Sequence, residues 1–394
     1  MTEVDERSSP ASVDVHSASF AADPHASLGE LRVAGRVHFH ADSGLWFLLR
    51  YDDVGFGLAD IRREESTARD PLNPFAIDGP DHTGPRRLIT PSFTNRMIQA
   101  LREQTQQIVD GALDGKRPGD ELRLVDEIGY PLPYRLMCDL LGVPELDDVS
   151  ELRDKTFKSL ALIDAFLTPE QIREYVAAWK SLEDHLTEVV AWKRDHLGDD
   201  LMSVVIRAAD DGTVMSHANV VPYLHTLYLA GMHTTVNQTA LSVLALLRNR
   251  SQWELLCRRP ELVENAVEEL LRYDSTAQYM IRNTFEDYTF GDATIPAGSR
   301  IVCWISSANR DEERWGPTAG ALDVTRADAR NHIAFGKGAH VCLGSWLARL
   351  ELRIVIETLS TRFPRTDLAT DDIAWTSGIT AIRGPDELLL SLGA

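Results

Sequence analysis

Phe335-Gly336-Lys337-Gly338-Ala339-His340-Val341-Cys342-Leu343-Gly344 is the stretch on which the reading of the whole chain turns. Its glycines let a loop turn tightly and bring its backbone close to a flat partner, because a residue without Cβ reaches conformations closed to the others. Directly behind it, Leu347-Ala348-Arg349-Leu350-Glu351-Leu352 carries helical periodicity, and a helix is expected to about Leu359. A cysteine at the start of a helix has its thiolate favoured by free N–H groups and the helix dipole. Most isolated cysteines are only small buried hydrophobes. The glycine spacing and the helix that follows set Cys342 apart as a candidate metal ligand.

Outward from this loop, composition sets the class. The 394 residues are 44% hydrophobic and 25% charged, which is ordinary for a globular protein with a sizeable core. A formal charge of -20 argues against a nucleic-acid or anionic-membrane partner, since phosphates are repelled over most of the surface. Cys138, Cys257, Cys303 and Cys342 lie far apart with no CxxC pair, so neither a disulfide framework nor a zinc knuckle is expected, in keeping with a reducing cytosol. No uncharged apolar run is long enough to span a bilayer, and the expectation is a cytoplasmic protein without an anchor.

Residues 1–20, rich in Ser, Ala and acids, read as a disordered tail, and residues 21–394 as one domain. Apolar residues between 91 and 270 recur mostly at helical spacing, as in Leu182, Leu186, Val189 and Val190. From 283 to 303 the texture changes to Tyr288-Thr289-Phe290, Gly291-Asp292 and Ile301-Val302-Cys303-Trp304, a small sheet insert. Residues 308–334 read as structured coil. The fold class expected is mainly α with a small β-region.

Two further patterns carry chemistry. Glu269 and Arg272 lie at i,i+3 in a helix begun by Pro260, a pair that is usually solvated and worth roughly 0.2–0.5 kcal/mol. Residues 216–247 are helical and nearly apolar all round, the signature of a helix through the core, with Pro222 predicting a late start or a kink. In its middle, Leu229-Ala230-Gly231-Met232-His233-Thr234-Thr235 breaks the apolar run with small and hydroxyl residues.

Residues 335–344 match F-G-x-G-x-H-x-C-x-G at every fixed position, and in this the chain resembles the cytochrome P-450 family. With Ala308-Asn309-Arg310-Asp311 and the patterns above, the resemblance extends from about residue 81 to the C-terminus. It implies haem b held between the long distal helix and the loop, with Cys342 ligating iron through a thiolate whose electron donation favours O–O cleavage. Phe335, Gly336 and Gly344 belong to the haem-binding loop. His82, Arg86, Arg282, His332 and, as a fifth, His340 are the cations implied for the two haem propionates. Arg326 is implied to join Glu269 and Arg272 in a buried structural group. Ala230 and Gly231 correspond to the groove for dioxygen and Thr234 to the family threonine, whereas the position of the family's acid is held by His233. Delivering protons to dioxygen normally uses that acid. The expectation is that His233 relays protons itself, or that polar groups of the substrate compensate; the bland alternative is a histidine bonded to a neighbouring helix.

The resemblance further implies a substrate pocket bounded by the segment before His82, the distal helix, the stretch after Arg272 with Thr276, and residues 378–381. The short, proline-bearing connection at 66–81 predicts an open pocket for a bulky or aromatic substrate. The reaction expected is monooxygenation of a small organic secondary-metabolite substrate by hydroxylation or epoxidation; the alternative is oxidative aryl C–C or C–N coupling without oxygen insertion. A haem sensor without turnover and a peroxide-driven oxidase are the remaining readings. No flavin, nicotinamide or iron–sulfur motif is present, so electrons from NAD(P)H are expected through a ferredoxin or flavodoxin with its reductase, docking on a patch that includes Lys337, Arg349 and Arg353.

Overall fold

Local signals place the helices. Thr168 and Gln171 form a reciprocal capping box with Pro169 in the first turn, and the helix they start, Pro169–Arg194, ends on Lys193 and Arg194, cations that suit its C-terminal dipole. Gly142, at φ +66°, closes Pro131–Leu141 in the left-handed region that favours glycine. The computed structural model describes residues 13–61, 78–212, 214–376 and 379–393.

The described residues open with α1 (Ala18–Ala22), α2 (Pro24–Ala34), β1 (Val37–His40), β2 (Leu45–Leu48) and α3 (Tyr51–Ala59). The helical body follows: α4 (Pro80–Ile89), α5 (Asn95–Gln99), α6 (Arg102–Ala112), β3 (Glu121–Arg123), α7 (Pro131–Leu141), α8 (Ser150–Ala161) and α9 (Pro169–Arg194). It continues through α10 (Leu201–Asp210), α11 (Val220–Gly231), α12 (His233–Arg248), α13 (Arg250–Arg258) and α14 (Val263–Tyr273). Then come β4 (Tyr279–Asn283), β5 (Tyr288–Phe290), β6 (Ala293–Ile295), β7 (Arg300–Trp304), α15 (Ile305–Ala308), α16 (Glu312–Trp315), α17 (Ser345–Arg362), β8 (Asp367–Leu368) and β9 (Leu389–Ser391).

One sheet has the order β1-β2-β7-β4, with β2 and β7 parallel and the other pairs antiparallel. The expected sheet insert thus supplies β4 and β7, while β5 and β6 form a separate hairpin through Gly291 at φ +62°. A third sheet, β3-β9-β8, joins distant parts of the chain. The main core gathers residues from α4 to β9, including Leu224, Val236, Leu244, Leu271 and Ile354.

One expectation is corrected and one is met in part. The tail expected to residue 20 is ordered from Val13: Val13, Val15 and Phe20 are buried in a cluster with Phe47, Phe166 and Trp304, because their apolar side chains cover that face of the β2–β7 sheet. The part of that expectation falling on residues 1–12 lies outside the described residues. The distal helix does start late, at Val220 behind the 3-10 turn His217–Asn219, but Pro222 does not kink it, since it sits in the first turn of α11, where its missing N–H costs no helical bond. The interruption lies ten residues later, at Met232 (φ -91°, ψ -88°), between α11 and α12.

The connection between α8 and α9 is tied down. Asp164 accepts hydrogen bonds from the Tyr279 hydroxyl (2.8 Å) and the Ala381 amide (2.9 Å), and Phe166 packs edge-on against Phe47 and Tyr279. No helix among the described residues is long and apolar enough to cross a membrane.

Candidate active site

The cysteine loop is built on two glycines that nothing else could replace. Gly336 and Gly338 have φ of +75° and +79°, and a Cβ on Gly338 would lie 2.7 Å from the Ala59 Cα at the end of α3. The Cys342 N–H donates to the Phe335 carbonyl at 2.8 Å, which closes the loop. Gly344 caps α17, and its amide points at the Cys342 sulfur. Cys342 itself is exposed. Although the side chain is accessible, its depth among surrounding protein atoms raises its thiol above the ordinary value, while the Gly344 amide, Arg86 and Arg349 act in the opposite direction, towards the thiolate.

The distal helix opens on one strip only. Tyr223, Thr226, Leu227, Ala230, Gly231 and Thr234 recur at helical spacing and are accessible, beyond Val221 and Pro222 of the first turn, with Ala230 exposed next to the buried Leu229. In α12 all residues but Thr234 and the terminal Arg248 are buried. The Thr234 hydroxyl donates to the Ala230 carbonyl at 2.7 Å, so the expected groove residues and threonine share one face. Gly231 is needed there: a Cβ would lie 2.8 Å from the Met137 sulfur.

His233 falls on the opposite, buried face. The Thr156 hydroxyl already donates to the Leu152 and Arg153 carbonyls, so the His233 Nε2–H is the donor, to the Arg153 carbonyl (3.1 Å) and Thr156 Oγ1 (2.9 Å) of α8. Burial lowers its pKa to about 4, so the ring is neutral near pH 7. This corrects the relay expectation: the imidazole is a strut between α12 and α8, committed away from Thr234. His233→Ala is therefore expected to leave product formed per reducing equivalent unchanged while costing about 2–4 kcal/mol of stability, the size of a buried truncation that orphans a carbonyl. Parallel turnover and urea-unfolding measurements check both halves.

The cations expected for haem divide. Arg86 donates to the Val341 carbonyl on the loop, and the rings of His82 and His340 stack with centroids 4.0 Å apart. Arg282, on β4, is 2% exposed, donates to the Leu58 and Ile281 carbonyls, has no carboxylate ion pair among the described residues, and leaves its buried Nε without a hydrogen-bond partner. Asp78 places a carboxylate oxygen 2.6 Å from His340 Nε2, and its charge also acts on Arg282. That carboxylate stands in for a propionate among the same cations. A buried guanidinium whose Nε has no partner and which has no carboxylate ion pair among the described residues, beside such a stand-in, together with an exposed thiol in a glycine loop, fits haem.

His332 is corrected. Its Nδ1 accepts from the Ala334 amide (3.1 Å) and its Nε2 donates to Glu268 (3.1 Å), so neither nitrogen is directed at a propionate. Glu268 is gripped on its other side by both arms of Arg349, at 2.8 and 3.0 Å, and these partners hold its carboxyl down at about 2 against the cost of burial. Arg349 also lies over the Phe335 ring at 4.5 Å, and Arg353 pairs with Glu357 at 2.6 Å. Two of the cations expected in the docking patch are thus bound to acids of this chain.

Glu269 takes both arms of Arg272 (2.7 and 2.8 Å), Arg326 Nε (3.2 Å) and the Asp323 amide (3.0 Å), and Glu269 and Arg272 are wholly buried. Arg272 also donates to the carbonyls of Asn309, Ala319 and Ala321, which fastens the coil before the loop to α14. On the substrate side, Thr276 is held by Gln238 of α12 (2.9 Å) and by the Arg383 carbonyl (3.0 Å), and Ile379 packs with Tyr175 and Ala161. The open-pocket expectation rests mostly on residues 62–77, and the far wall partly on residue 378, which lie outside the described residues.

Sequence reasoning missed Glu268 and Glu351. Glu351 of α17 is 1% exposed, touches Thr235 of α12, and has Oε2 buried without a partner. Burial pushes it up to about 8, with the Thr235 hydrogen bond a smaller effect downward. Folded protein keeps this proton while unfolded chain releases it near the ordinary value, so stability is lost as pH rises from about 4.5 to 8. Glu351→Gln, which has no charge to bury, is expected to be more stable than wild type by about 3 kcal/mol at pH 7 and by less than about 1 kcal/mol at pH 5. Urea midpoints at the two pH values measure the gap.

Comparison with known proteins agrees with this geometry. The family described as Cytochrome P450 matches residues 257–373. Identity is 35% to the vitamin D(3) 25-hydroxylase of Pseudonocardia autotrophica over 401 residues, 96% of each chain. The chain belongs to the cytochrome P450 family. This P450 is also 36% identical to nocardicin C N-oxygenase of Nocardia uniformis over 409 residues, 98% of this chain and 99% of that one. It superposes on testosterone-bound CYP109E1 of Bacillus megaterium with a TM-score of 0.86 at 27% identity, covering 94% and 98% of the two chains. As a P450 it is an oxidoreductase, and the family implies haem, an organic substrate, oxygen and a source of electrons.

Proposed function

We propose that this P450 is a haem-thiolate monooxygenase that hydroxylates or epoxidises a bulky or aromatic secondary metabolite. The observation that carries the proposal is the exposed Cys342 thiol in its glycine loop, set in a chain whose distal helix is open along one strip ending at Thr234. Haem, when bound, supplies reductive activation of dioxygen. Cys342 would hold its iron, with the sulfur oriented by the Gly344 amide and favoured as thiolate by Arg86 and Arg349. Arg86, Arg282, His82 and His340 would take the propionates. Phe335 and the loop glycines would lie against the ring, and the Glu269–Arg272–Arg326 group fixes the coil that presents the loop. Ala230 and Gly231 leave space beside Thr234, whose hydroxyl is held ready by the Ala230 carbonyl.

The names of relatives support the substrate class: a vitamin D(3) hydroxylase, a nocardicin N-oxygenase and the monooxygenase PikC of Streptomyces venezuelae. We assign a cytoplasmic location and electrons from NAD(P)H through a ferredoxin or flavodoxin and its reductase, with Lys337 in the docking face. A second reading, oxidative aryl coupling without oxygen insertion, draws on His233, because the family's acid is replaced by an imidazole turned onto α8. Turnover under labelled dioxygen separates the two. One labelled oxygen atom in the product upholds monooxygenation, and a dimerised or cyclised product without label replaces it by coupling.

A further inference from the structure

A cavity of about 250 Å³ lies among α7, α9, α10 and α11, lined by Tyr134 and Cys138 of α7, Leu186 of α9, Met202 of α10 and Tyr228 of α11. It belongs to neither the Cys342 loop nor the open strip of the distal helix, since Tyr228 lies on the face of α11 buried against its neighbours. Trp192 and Leu146, both about two-fifths exposed, stand among the lining residues and mark its side towards solvent.

The polar atoms of this cavity are asymmetric. The Tyr134 hydroxyl accepts from the Leu146 amide at 2.7 Å and makes a further hydrogen bond with Cys138. Tyr228 is 5% exposed, and its hydroxyl is buried without a hydrogen-bond partner. An unmatched buried hydroxyl is costly, and native cores rarely keep one without something to receive it. Glu188 also lines the cavity, and Asp139 and Glu145 act on Cys138 in its wall, so the surroundings repel an anion. Apolar walls, one buried donor without a partner, and a rim on which the carboxylate of Glu188 stands beside His185 and the Trp192 indole, select a neutral molecule with an aromatic or alicyclic body and an acceptor such as a ketone or lactone carbonyl for the buried end.

We propose that this cavity is a second small-molecule site for a neutral aromatic or alicyclic ligand whose one acceptor oxygen takes the Tyr228 hydroxyl proton. The site is separate from the haem and substrate positions and does not depend on the function proposed above. Its occupant touches the distal helix from the buried side, one turn before Gly231, where Met137, the chain neighbour of Cys138, already packs against the backbone.

Fluorine NMR with 4-fluoroacetophenone as probe, on the holoenzyme, tests the proposal. Saturable binding is expected, weakened at least tenfold in Leu186→Trp, which fills the cavity, and about two- to tenfold in Tyr228→Phe, the range of one neutral hydrogen bond. Val189→Trp, at a half-buried lining position, serves if Leu186→Trp does not fold. Ala230→Leu, which narrows the open strip on the other face of the same helix, should leave this binding unchanged. Absence of saturable binding, binding indifferent to both tryptophan variants, or binding lost in Ala230→Leu overturns the proposal; so does a crystal soaked with the probe that shows only water at Tyr228.

Discussion

Cys342→His is expected to fold, retain a haem-binding loop and lose dioxygen-dependent turnover completely. The loop is closed by the backbone of residue 342, whose N–H reaches the Phe335 carbonyl whatever its side chain. Its turn depends on Gly336 and Gly338. Stability should therefore stay within about 1 kcal/mol of wild type, as for exposed positions away from packing. What changes is the donor: a thiolate pushes electron density towards iron and an imidazole does so far less. The reduced, carbon monoxide-treated wild-type protein should show the long-wavelength Soret band of thiolate ligation, and Cys342→His the shorter-wavelength band of imidazole ligation. An identical band in the two proteins would remove Cys342 from the iron.

Glu269→Ala should have the largest effect on folding. It leaves the guanidinium groups of Arg272 and Arg326, 0% and 9% exposed, facing one another without their carboxylate. Removing one partner of a buried ion pair costs about 3–5 kcal/mol because a charge is stranded in the interior. Against a total stability of about 5–15 kcal/mol, that takes much of the margin. The expected result is a sharply lower urea midpoint and poor haem retention, since Arg272 also holds the carbonyls of Asn309, Ala319 and Ala321 ahead of the loop. Arg326→Ala should cost less, its guanidinium being the more peripheral. A double-mutant cycle between 269 and 326 should show strong non-additivity, as contacting charged groups do.

Much of this architecture is visible in the residues themselves, where local pattern and tertiary outcome agree. The glycine spacing of 335–344, the all-round apolar distal helix and the helix behind Cys342 each have one structural solution. What the sequence hides is set at long range. The strand at 45–48 is apolar throughout and lacks the alternation of a half-buried strand, because all four residues of β2, which pairs with β7, are buried. Glu268 beside Glu269 reads as a solvated acidic face until His332 and Arg349, distant in the chain, close on it. His233 occupies the place of a family acid, yet a helix places successive residues about 100° apart, and position 233 falls on the face that meets α8 while 234 faces the strip. Glu351 gives no signal at all, for only burial distinguishes it from any other glutamate on a helix.

The anchoring at Val13 and at Gly393 bears on how an electron donor could be joined to this protein. Val13, Val15 and Phe20 close an aromatic cluster at one end, and at the other β9 completes a sheet, with Gly393 so close to the Arg365 carbonyl that a Cβ there would lie 2.6 Å away. A reductase or ferredoxin module joined directly at Val13 or Gly393 would pull on packed structure. A flexible spacer leaving from outside residues 13–393 lets the electron donor reach the Cys342 side without loosening the sheet or the N-terminal cluster.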